Sequence, residues 1–369
     1  MQGGGAERVA ALLCNHWARQ GHEVTLMPTF SGRGECLYML EENVCLTYLA
    51  DQVGTTRQTP LNRIKRLASL RRFVRESSPD VIISFLPHVN VATLLATAGL
   101  NIPIVVSERT YPPAKSVGKV LEFVRKLAYP HASAVVMQTE QGREWLAQEC
   151  PSANGKVIAN PVVFPLPVSE PSIRPEEVVG KERQVLLAVG RLEEEKGFTK
   201  LIEAFAKLAE SFPSWDLVIL GEGKNRESLE AQRSSLDLEH RIHLPGRAGN
   251  MADWYQSASL FVMSSRFEGF PNSLAEAMAY GLPVVSSDCD TGPRDIIRQG
   301  RDGLLVDPET GVRGLAEALS SLMLNPDLRS KMANAAVDVR ERFAISHITQ
   351  QWDAVLHTRL DKAMEAEPR

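Results

Sequence analysis

Short apolar runs, rich in β-branched residues, alternate with longer amphipathic segments along most of the chain. Each run is almost continuously apolar, as in DVIISFL and QVLLAVG, without a polar residue at every second position. Strands of this kind are buried on both faces, which is typical of parallel sheets covered by helices. The runs number six in each half: EVTLM, VCLTYL, DVIISFL, IPIVVS, SAVVMQT and KVIAN, then QVLLAVG, DLVILGEG, RIHLPG, SLFVMSS, PVVSSD and GLLV. The pattern predicts an α/β protein with two doubly wound, Rossmann-like domains.

The domain boundary is marked by NPVVFPLPVSEPSIRPEEVVGK, which contains five prolines and shows no helical periodicity. Such a stretch suits an extended connector. We therefore predict an N-terminal domain over residues 1–160, a linker over 161–182 and a C-terminal domain over 183–343. After Asp307 the sequence is almost wholly helical in pattern, and we expect residues 344–369 to form a helix that packs back toward the N-terminal domain.

Composition excludes several classes of protein. The five cysteines are scattered without a C-x-x-C pair, which argues against a disulfide framework or a zinc site. The sequence predicts neither a signal peptide nor a membrane-spanning helix, so we expect a cytoplasmic protein. Residues 1–165 hold 17 Lys and Arg against 13 Asp and Glu, and residues 166–369 hold 24 against 32. This mild asymmetry, without a concentrated basic face, does not suggest a nucleic-acid partner.

Two loops of the second half carry charged residues where strands end. Arg191 follows the QVLLAVG strand, and Lys196 comes immediately before a helix that begins near Gly197. Glu268 lies in the loop after SLFVMSS, and Glu276 lies about one turn inside the next helix, for which Asn272 or Ser273 is the expected N-cap. Ligands of open α/β sheets bind at this edge, so two cations and two carboxylates there suit a ligand with both phosphates and hydroxyls. Each pair taken alone is better explained by ordinary solvated charges, and the occurrence of both pairs at one sheet edge is what favours a ligand.

Nine short motifs together resemble glycosyltransferase family 4. Five lie in the second half, in this order: VGRLEEEKG, LVILGEGK, LPGR, SRFEGFPNSLAEAMAYGLPVVSSD and DGLLV. Four lie in the first half: GGGAERV, HEVTLM, SERT and NPV. The resemblance implies a GT-B fold, in which two Rossmann-like domains face each other across a cleft. It also implies a retaining hexosyltransferase that takes a hexose or N-acetylhexosamine from a nucleotide sugar, with UDP as the expected nucleotide. The similar bacterial enzymes build surface polysaccharides, including lipopolysaccharide and exopolysaccharide, or lipid-linked glycans, so a glycan or polyprenyl-diphosphate-linked acceptor is expected.

For the phosphates of the donor, the resemblance implies that Arg191 and Lys196 hold the diphosphate as catalytic residues. They take the place of the divalent metal that other transferases use, so no metal and no cofactor are expected besides the nucleotide sugar. The main-chain amides of Ser273 and Leu274 would meet the distal phosphate at a helix N-terminus.

For the rest of the donor, the resemblance implies that Glu276 accepts hydrogen bonds from the ribose hydroxyls. The main chain of Arg247 would lie near the base. Glu268, as a further catalytic residue, would bind hydroxyls of the transferred sugar together with the main chain of Gly269, Phe270 and Pro271.

The first half offers further site residues. Gly3, Gly4 and Gly5 precede the helical segment Ala6–Arg19, and by resemblance they form a loop that approaches the donor. Related chains have an apolar strand before this loop, so the first strand of the N-terminal domain is expected to be missing. An upstream extension encoding it is expected to raise stability.

Three other residues of the first half have two interpretations each. His88, at the start of a helix after DVIISFL, either contacts the sugar as a catalytic residue or packs locally. Glu108 and Arg109 either contact the acceptor or a phosphate, or form an internal ion pair.

Two basic helical segments, LNRIKRLASLRRFVRESSPD and KSVGKVLEFVRKLAYPHA, give the first half its positive charge. They are interpreted either as ordinary amphipathic helices with solvated cations or as a surface for anionic lipid headgroups at the inner face of the membrane.

Two other functions compete with that of an active glycosyltransferase. A nicotinamide-dependent dehydrogenase is disfavoured because Arg8 occupies the position of the third glycine of G-x-G-x-x-G. A catalytically impaired or non-catalytic homologue that binds nucleotide sugars stays open, because the first strand is expected to be missing although Arg191, Lys196, Glu268 and Glu276 are all present.

Overall fold

The computed structural model of the chain describes residues 5–29, 36, 38–54, 59–114, 116–180 and 182–366. The chain divides into two compact units. The first unit contains residues 1–161 and 346–369, and the second contains residues 162–345. The predicted glycines Gly3 and Gly4 lie outside the described residues, and Gly5 is the first residue of a helix.

Each of the twelve apolar runs contains a strand, and every strand pairing in the described part of the chain is parallel. The predicted α/β class with parallel sheets is therefore confirmed. The strands are β1 (Val24–Leu26), β2 (Val44–Leu46), β3 (Ile82–Phe85), β4 (Ile104–Ser107), β5 (Ala134–Met137), β6 (Gly155–Val157), β7 (Gln184–Val189), β8 (Trp215–Leu220), β9 (Ile242–Gly246), β10 (Leu260–Met263), β11 (Val284–Ser287) and β12 (Gly303–Val306).

Helices follow most of the strands, as a doubly wound fold requires. In the first unit they are α1 (Gly5–Arg19), α2 (Leu49–Val53), α3 (Pro60–Ser77), α4 (Pro87–Thr97), α5 (Lys119–Ala128) and α6 (Glu140–Glu149). In the second unit they are α7 (Pro175–Val178), α8 (Phe198–Ala209), α9 (Arg226–Ser235), α10 (Met251–Ser257), α11 (Asn272–Ala279), α12 (Pro293–Ile296), α13 (Gly311–Leu324), α14 (Pro326–Ala336) and α15 (Val339–Arg342). The last helix, α16 (Ile345–Ala366), starts at the end of the second unit and otherwise belongs to the first.

The sheet of the second unit has the strand order β9-β8-β7-β10-β11-β12. The chain builds outward from β7 in one direction and then returns to build outward from β10 in the other. β7 and β10 are neighbours, with Leu186 opposite Leu260 and Leu187 opposite Phe261. The loops that leave these two strands diverge, and open α/β sheets bind ligands in the crevice that this divergence creates.

The core of the second unit forms because its helices have apolar residues at helical spacing. On α8, the residues Phe198, Leu201, Ile202 and Phe205 are buried against strand residues such as Leu217. The helix α13 packs beside α8 and adds its own apolar face to the same core. A spacing of three and four residues places these side chains on one helix face, which therefore covers the sheet.

The first unit contains two separate sheets among its described residues, β1-β2 and β3-β4-β5-β6. Helix α1 contributes Val9 and Leu13 to a core that also includes Val105 and Val136 of the sheet. Trp352 of α16 is fully buried in the same core. The predicted return of the C-terminal segment thus has a local physical basis, because its apolar face packs within this unit.

The proline-rich stretch after residue 161 is ordered by hydrogen bonds to the second unit. The Val162 amide donates to the Phe343 carbonyl at 2.8 Å, and the Ile173 amide donates to Asn250 Oδ1 at 2.9 Å. The stretch also contains the short helix α7, which the sequence did not suggest. The five prolines of residues 160–181 have no amide hydrogen and limit regular backbone hydrogen bonding, so most of the stretch is neither helix nor strand.

Asp216, on β8, is the most densely paired buried carboxylate of the second unit. It accepts hydrogen bonds from Arg183 Nε at 3.1 Å and Arg241 Nε at 3.0 Å, and His243 Nε2 lies 3.4 Å away. Burial alone would raise the pKa of Asp216, but hydrogen bonds from His243, Arg183 and Arg241 lower it to about 2. The ionised form is therefore strongly favoured in the folded state.

We predict that Asp216→Asn lowers the free energy of unfolding by about 3 kcal/mol at pH 7, because it leaves the partly buried Arg183 and Arg241 without their carboxylate. A carboxylate with a depressed pKa stabilises the fold fully above its unfolded value of about 3.9 and loses this contribution as the pH falls through the folded value. The difference between wild type and variant, measured by chemical unfolding, should shrink from pH 5 to pH 3. The exposed Asp327→Asn is the control, and an equal difference at pH 7 and pH 3 would contradict the assignment.

Candidate functional site

The candidate site of the second unit lies where β7 and β10 end. Arg191 comes two residues after β7, and the loop that contains Glu268 follows β10. Because the two strands are adjacent and parallel, both loops emerge at the same edge of the sheet. The predicted site residues of the second half therefore come from two neighbouring loops and from α11, which follows the second loop.

Lys196 is fixed by contacts between these loops. It ends a 3₁₀ turn, and its carbonyl accepts a hydrogen bond from Ser264 Oγ at 2.8 Å. The next residue, Gly197, has a φ of +66°, and a Cβ atom there would lie 2.2 Å from the Ser264 carbonyl oxygen. The Lys196 loop can approach β10 this closely only because residue 197 has no side chain.

Lys196 and Glu268 form a direct ion pair, with 2.6 Å between Nζ and Oε1. Ser265 Oγ donates to the same carboxylate oxygen at 2.6 Å. Among the described residues no hydrogen bond ends on the other oxygen, Oε2. The sequence predicted both charged residues but not their contact, and it did not identify Ser265, whose only signal is a hydroxyl three residues before Glu268.

The three consecutive glutamates before Lys196 are each paired with a cation. Glu193 pairs with Lys224 at 2.9 Å, Glu194 with Arg266 at 2.5 Å, and Glu195 with Arg191 at 3.0 Å. The hydrogen bond from Lys224 lowers the pKa of Glu193. Three carboxylates that would otherwise repel an anion are thus balanced locally. Neither Lys224 nor Arg266 was predicted as a site residue, although they lie in the motifs LVILGEGK and SRFEGFPNSLAEAMAYGLPVVSSD.

Glu276 is buried on α11, and its Oε2 accepts a hydrogen bond from the Tyr255 hydroxyl at 3.1 Å. Tyr255 belongs to α10 and stacks on Tyr280 with 5.6 Å between ring centroids. This arrangement restrains the carboxylate in one position. The sequence did not identify Tyr255, because the contact joins two helices with a strand between them.

Helix α11 begins one or two residues earlier than the two predicted N-caps imply. Pro271 is at the N-cap position without a side-chain hydrogen bond, so the predicted N-caps Asn272 and Ser273 lie inside the helix. Proline preorganises the backbone for a helix start and has no N–H to satisfy. Ser273 Oγ lies 3.5 Å from the Val189 carbonyl at the end of β7. The Leu274 side chain is fully buried.

The loop Glu268–Pro271 rests on the loop between β11 and α12. The buried Thr291 hydroxyl donates to the Glu268 carbonyl. Gly292 has a φ of +96°, and a Cβ there would lie 2.8 Å from the Gly269 carbonyl oxygen. The Phe270 ring packs edge-on against Phe343 at 5.2 Å between centroids. Thr291 was not predicted from the sequence, because it lies 23 residues from Glu268 in the chain.

Other predicted residues occupy less constrained positions. Arg247 is exposed directly after β9. His88 is exposed as the second residue of α4, two residues after Leu86, whose φ of +78° is unusual for a residue with a Cβ. The catalytic role of His88 stays a prediction.

Glu108 and Arg109 are buried at the end of β4. The Tyr129 hydroxyl donates to Glu108 Oε1, and Arg125 Nη1 lies 3.6 Å from the same oxygen. Burial raises the pKa of Glu108. Arg109 Nη2 donates to Asn160 Oδ1 at 2.7 Å, and burial lowers the pKa of Arg109 to about 9. Glu108 thus pairs with Arg125 rather than with Arg109, and the acceptor role of both predicted residues stays a prediction.

The described residues contain no group of three or more His, Cys, Asp or Glu side chains arranged to hold a metal ion. In the same part of the chain, no helix has the combined length and apolar character of a membrane span.

Two family models match the chain. Residues 4–161 match the model described as "Glycosyl transferase 4-like domain", and residues 169–339 match "Glycosyl transferases group 1". A relative from Campylobacter jejuni, 29% identical, covers 95% of this chain and 94% of its own length. It is named GalNAc-alpha-(1->4)-GalNAc-alpha-(1->3)-diNAcBac-PP-undecaprenol alpha-1,4-N-acetyl-D-galactosaminyltransferase.

Two further comparisons cover nearly the whole chain. The amylovoran biosynthesis glycosyltransferase AmsD of Erwinia amylovora is 25% identical over 96% of both chains. The solved structure of Anabaena HepE in complex with UDP is 19% identical, covers 96% of both chains and superposes with a TM-score of 0.78. At this identity the structural likeness concerns the fold.

We predict that Gly197→Ala destabilises the second unit more than Gly300→Ala does. Both residues have positive φ, but the space around Gly300 is open, whereas a Cβ at Gly197 overlaps the Ser264 carbonyl. Gly300→Ala should cost about 1 kcal/mol from the backbone conformation alone, and Gly197→Ala about 2 kcal/mol more from overlap. Thermal unfolding measures the difference, and equal melting temperatures for the two variants would show that the loops are not in close contact.

Proposed function

The chain belongs to the glycosyltransferases of GT-B fold and is a hexosyltransferase, and from this premise we propose which donor and acceptor it uses. It moves a hexose or N-acetylhexosamine, with retention of configuration, from a UDP-sugar to a glycan or polyprenyl-diphosphate-linked acceptor in surface polysaccharide biosynthesis. The Lys196–Glu268 pair at the edge between β7 and β10 is the observation that carries the proposal. The names of the Campylobacter and Erwinia relatives and the UDP complex of HepE support the acceptor and donor classes.

The donor diphosphate is held by cations and main-chain amides. An ammonium group has three hydrogen-bond donors, so Lys196 can keep its bond to Glu268 and still donate to phosphate oxygens. The Arg191 side chain is 67% exposed and presents a planar fork suited to bidentate binding of phosphate. The amides of Ser273 and Leu274, in the first turn of α11, add the positive end of a helix dipole.

The nucleoside and the sugar are bound by separate carboxylates. Glu276, restrained by Tyr255, accepts hydrogen bonds from the ribose hydroxyls, and the Arg247 main chain lies near the base. Glu268 Oε2, together with the main chain of residues 269–271, binds hydroxyls of the transferred sugar. An ionised carboxylate accepts hydrogen bonds only, which suits both tasks.

The reaction breaks the bond between the anomeric carbon and the diphosphate oxygen, and the electron pair stays on the diphosphate. The acceptor hydroxyl oxygen forms a new bond to the anomeric carbon on the same face, and its proton passes to an oxygen of the leaving diphosphate. Negative charge grows on that group as the bond breaks. Arg191, Lys196 and the α11 amides stabilise the growing charge more than they stabilise the bound donor. We propose that these groups make a divalent metal unnecessary.

We predict that Lys196→Ala lowers the rate of transfer by at least about a hundredfold, because removal of one preorganised group that stabilises the leaving charge typically costs about 3 kcal/mol. The assay follows release of UDP from a panel of UDP-sugars with polyprenyl-diphosphate-linked acceptors. Lys200→Ala, an exposed cation on α8, is the matched control and should leave the rate unchanged. Excess EDTA should also leave it unchanged. A near-wild-type rate for Lys196→Ala would refute the assignment, and loss of activity in EDTA would refute metal independence.

We also propose that the first unit binds the inner face of the membrane through α3 and α5. On α5, Val120, Phe123 and Leu127 are exposed by 80%, 63% and 58%, and their spacing places them on one helix face. Exposed Lys119 and Lys126 lie on the same helix. Apolar side chains grouped in this way on a surface indicate an interaction site, and flanking cations suit anionic lipid headgroups.

Helix α3 has the same combination of residues. Leu61 and Ile64 are exposed by 62% and 65%, and exposed Arg63 and Lys65 lie beside them. Helix α4 packs between α3 and α5, so the three helices form one layer of the first unit. Not every cation of the basic segments belongs to this surface. Arg125 is buried against Glu108, and Lys115 lies outside the described residues.

We predict that the triple variant Val120→Ser, Phe123→Ser, Leu127→Ser binds vesicles at least about tenfold more weakly than wild type, because each apolar side chain buried in the interface contributes about 1 kcal/mol or more. Co-sedimentation with vesicles of phosphatidylglycerol and phosphatidylcholine measures binding, and pure phosphatidylcholine vesicles should bind weakly. Leu324→Ser, an exposed apolar residue of the second unit, is the control. Unchanged binding by the triple variant would refute the surface.

A further inference from the structure

The two carboxylate segments of the site are held by two different buried hydroxyl groups. The Tyr255 hydroxyl donates to the Glu276 carboxylate, and the Thr291 hydroxyl donates to the main-chain carbonyl of Glu268. Each of these hydroxyl-bearing residues is only 1% exposed. Neither is in a position to meet a ligand directly, so any effect on binding must act through the glutamate that it contacts.

Thr291 acts on the main chain of a segment whose side chains are also held, Glu268 by Lys196 and Phe270 by packing on Phe343. The Thr291 loop, between β11 and α12, lies against the Gly269 carbonyl and the Pro271 ring, so closely that a Cβ atom at Gly292 would have no room. The Glu268–Pro271 segment is irregular, so its carbonyl and amide groups are not aligned by a helix or a sheet. The Thr291 hydroxyl therefore fixes the direction of a peptide group in a segment that secondary structure does not fix.

Tyr255 acts on a different element. Glu276 is on α11, whose backbone is already fixed by its own hydrogen bonds, and Tyr255 reaches it from α10. Thr291 lies in the loop that follows β11, whereas α10 and α11 both precede that strand in the chain. The two supports share no loop, so each can be removed without directly disturbing the other.

We propose that Thr291 is a positioning residue that sets how strictly the site distinguishes hexose epimers, and that Tyr255 has the corresponding role for the nucleotide. The inference rests on the proposed function, in which the Glu268–Pro271 segment binds sugar hydroxyls and Glu276 binds the ribose. Epimers differ only in the direction of one hydroxyl group. Discrimination between them therefore depends on how firmly the hydrogen-bonding groups of the site are held.

The test measures dissociation constants of the full chain by calorimetry for UDP and for two pairs of C4 epimers, UDP-glucose with UDP-galactose and UDP-GlcNAc with UDP-GalNAc. Thr291→Val keeps the volume of the side chain and removes the hydroxyl. We expect its affinity for UDP to stay within about twofold of wild type, and its preference within the better-bound epimer pair to fall about three- to tenfold. Thr291→Ser, which keeps the hydroxyl, should restore the preference.

Tyr255→Phe should give the opposite result, with UDP bound about three- to tenfold more weakly and an unchanged preference between epimers. Thr97→Val is the matched structural control, because Thr97 is a buried threonine of the first unit whose hydroxyl also donates to a main-chain carbonyl. It should change neither quantity. If Thr291→Val does not fold, Thr291→Ala removes the same hydroxyl without adding a methyl group and is measured instead.

Three results would overturn the inference. In the first, Thr291→Val weakens the binding of UDP and of UDP-sugars equally and leaves the epimer preference intact. In the second, Thr291→Val changes neither the affinities nor the preference. In the third, Thr291→Ser fails to restore the preference. A wild-type protein that binds UDP-sugars without preferring either epimer would also overturn it, while leaving the proposed function in place. A wild-type protein that binds neither UDP nor any of the four UDP-sugars would overturn the proposed function and this inference together.

Discussion

The lateral pairing of β7 with β10 is the constraint on which the donor site depends. These strands are neighbours in space, although two strands and three α-helices, from α8 to α10, separate them in sequence. Their pairing brings Lys196 within 2.6 Å of Glu268 across 72 residues of chain. The contact between Gly197 and Ser264 then closes the distance between the loops. A change in strand order would separate the two charges even if every strand and helix were retained.

Charge balance around this contact explains how a strongly acidic segment can bind an anionic donor. The sequence RLEEEKG contains more acids than bases, and read alone it would repel a diphosphate. In the folded chain Lys224 and Arg266 come from other loops and pair with two of the glutamates, while Arg191 pairs with the third. Pairs at the surface contribute little stability. Their importance here is electrostatic, because they leave the Lys196 loop close to neutral.

The two units use buried polar groups differently. In the second unit, the hydroxyls of Ser265, Tyr255 and Thr291 each hold a group that takes part in the proposed donor site. In the first unit, Glu108 is enclosed with Tyr129 and Arg125 at the end of β4. Both contacts end on Oε1, and no hydrogen bond among the described residues ends on the buried Oε2. The contacts of Oε1 give Glu108 a structural function whatever its part in acceptor binding.

Much of the fold could be predicted because its signals are local. All twelve strands appear where apolar β-branched runs predicted them, and the basic segments form α3 and α5, since the period of apolar residues determines which element can bury them. The short helix α7 was not predicted, because a single helical turn has too few residues to show a helical period among five prolines. The start of α11 was predicted one or two residues late, because Pro271 fills the N-cap position that polar residues usually occupy.

The sequence by itself determined the α/β class, the family and the identity of the charged residues at the strand ends, because these depend on residue type, order and spacing. Only the tertiary structure decided which groups meet: Lys196 with Glu268, Tyr255 with Glu276, Thr291 with the Glu268 carbonyl, and Arg125 rather than Arg109 with Glu108. Hydrogen bonds and ion pairs act over about 3 Å. Whether two side chains come within that distance depends on strand order and loop contacts between residues far apart in the chain, which no local pattern specifies.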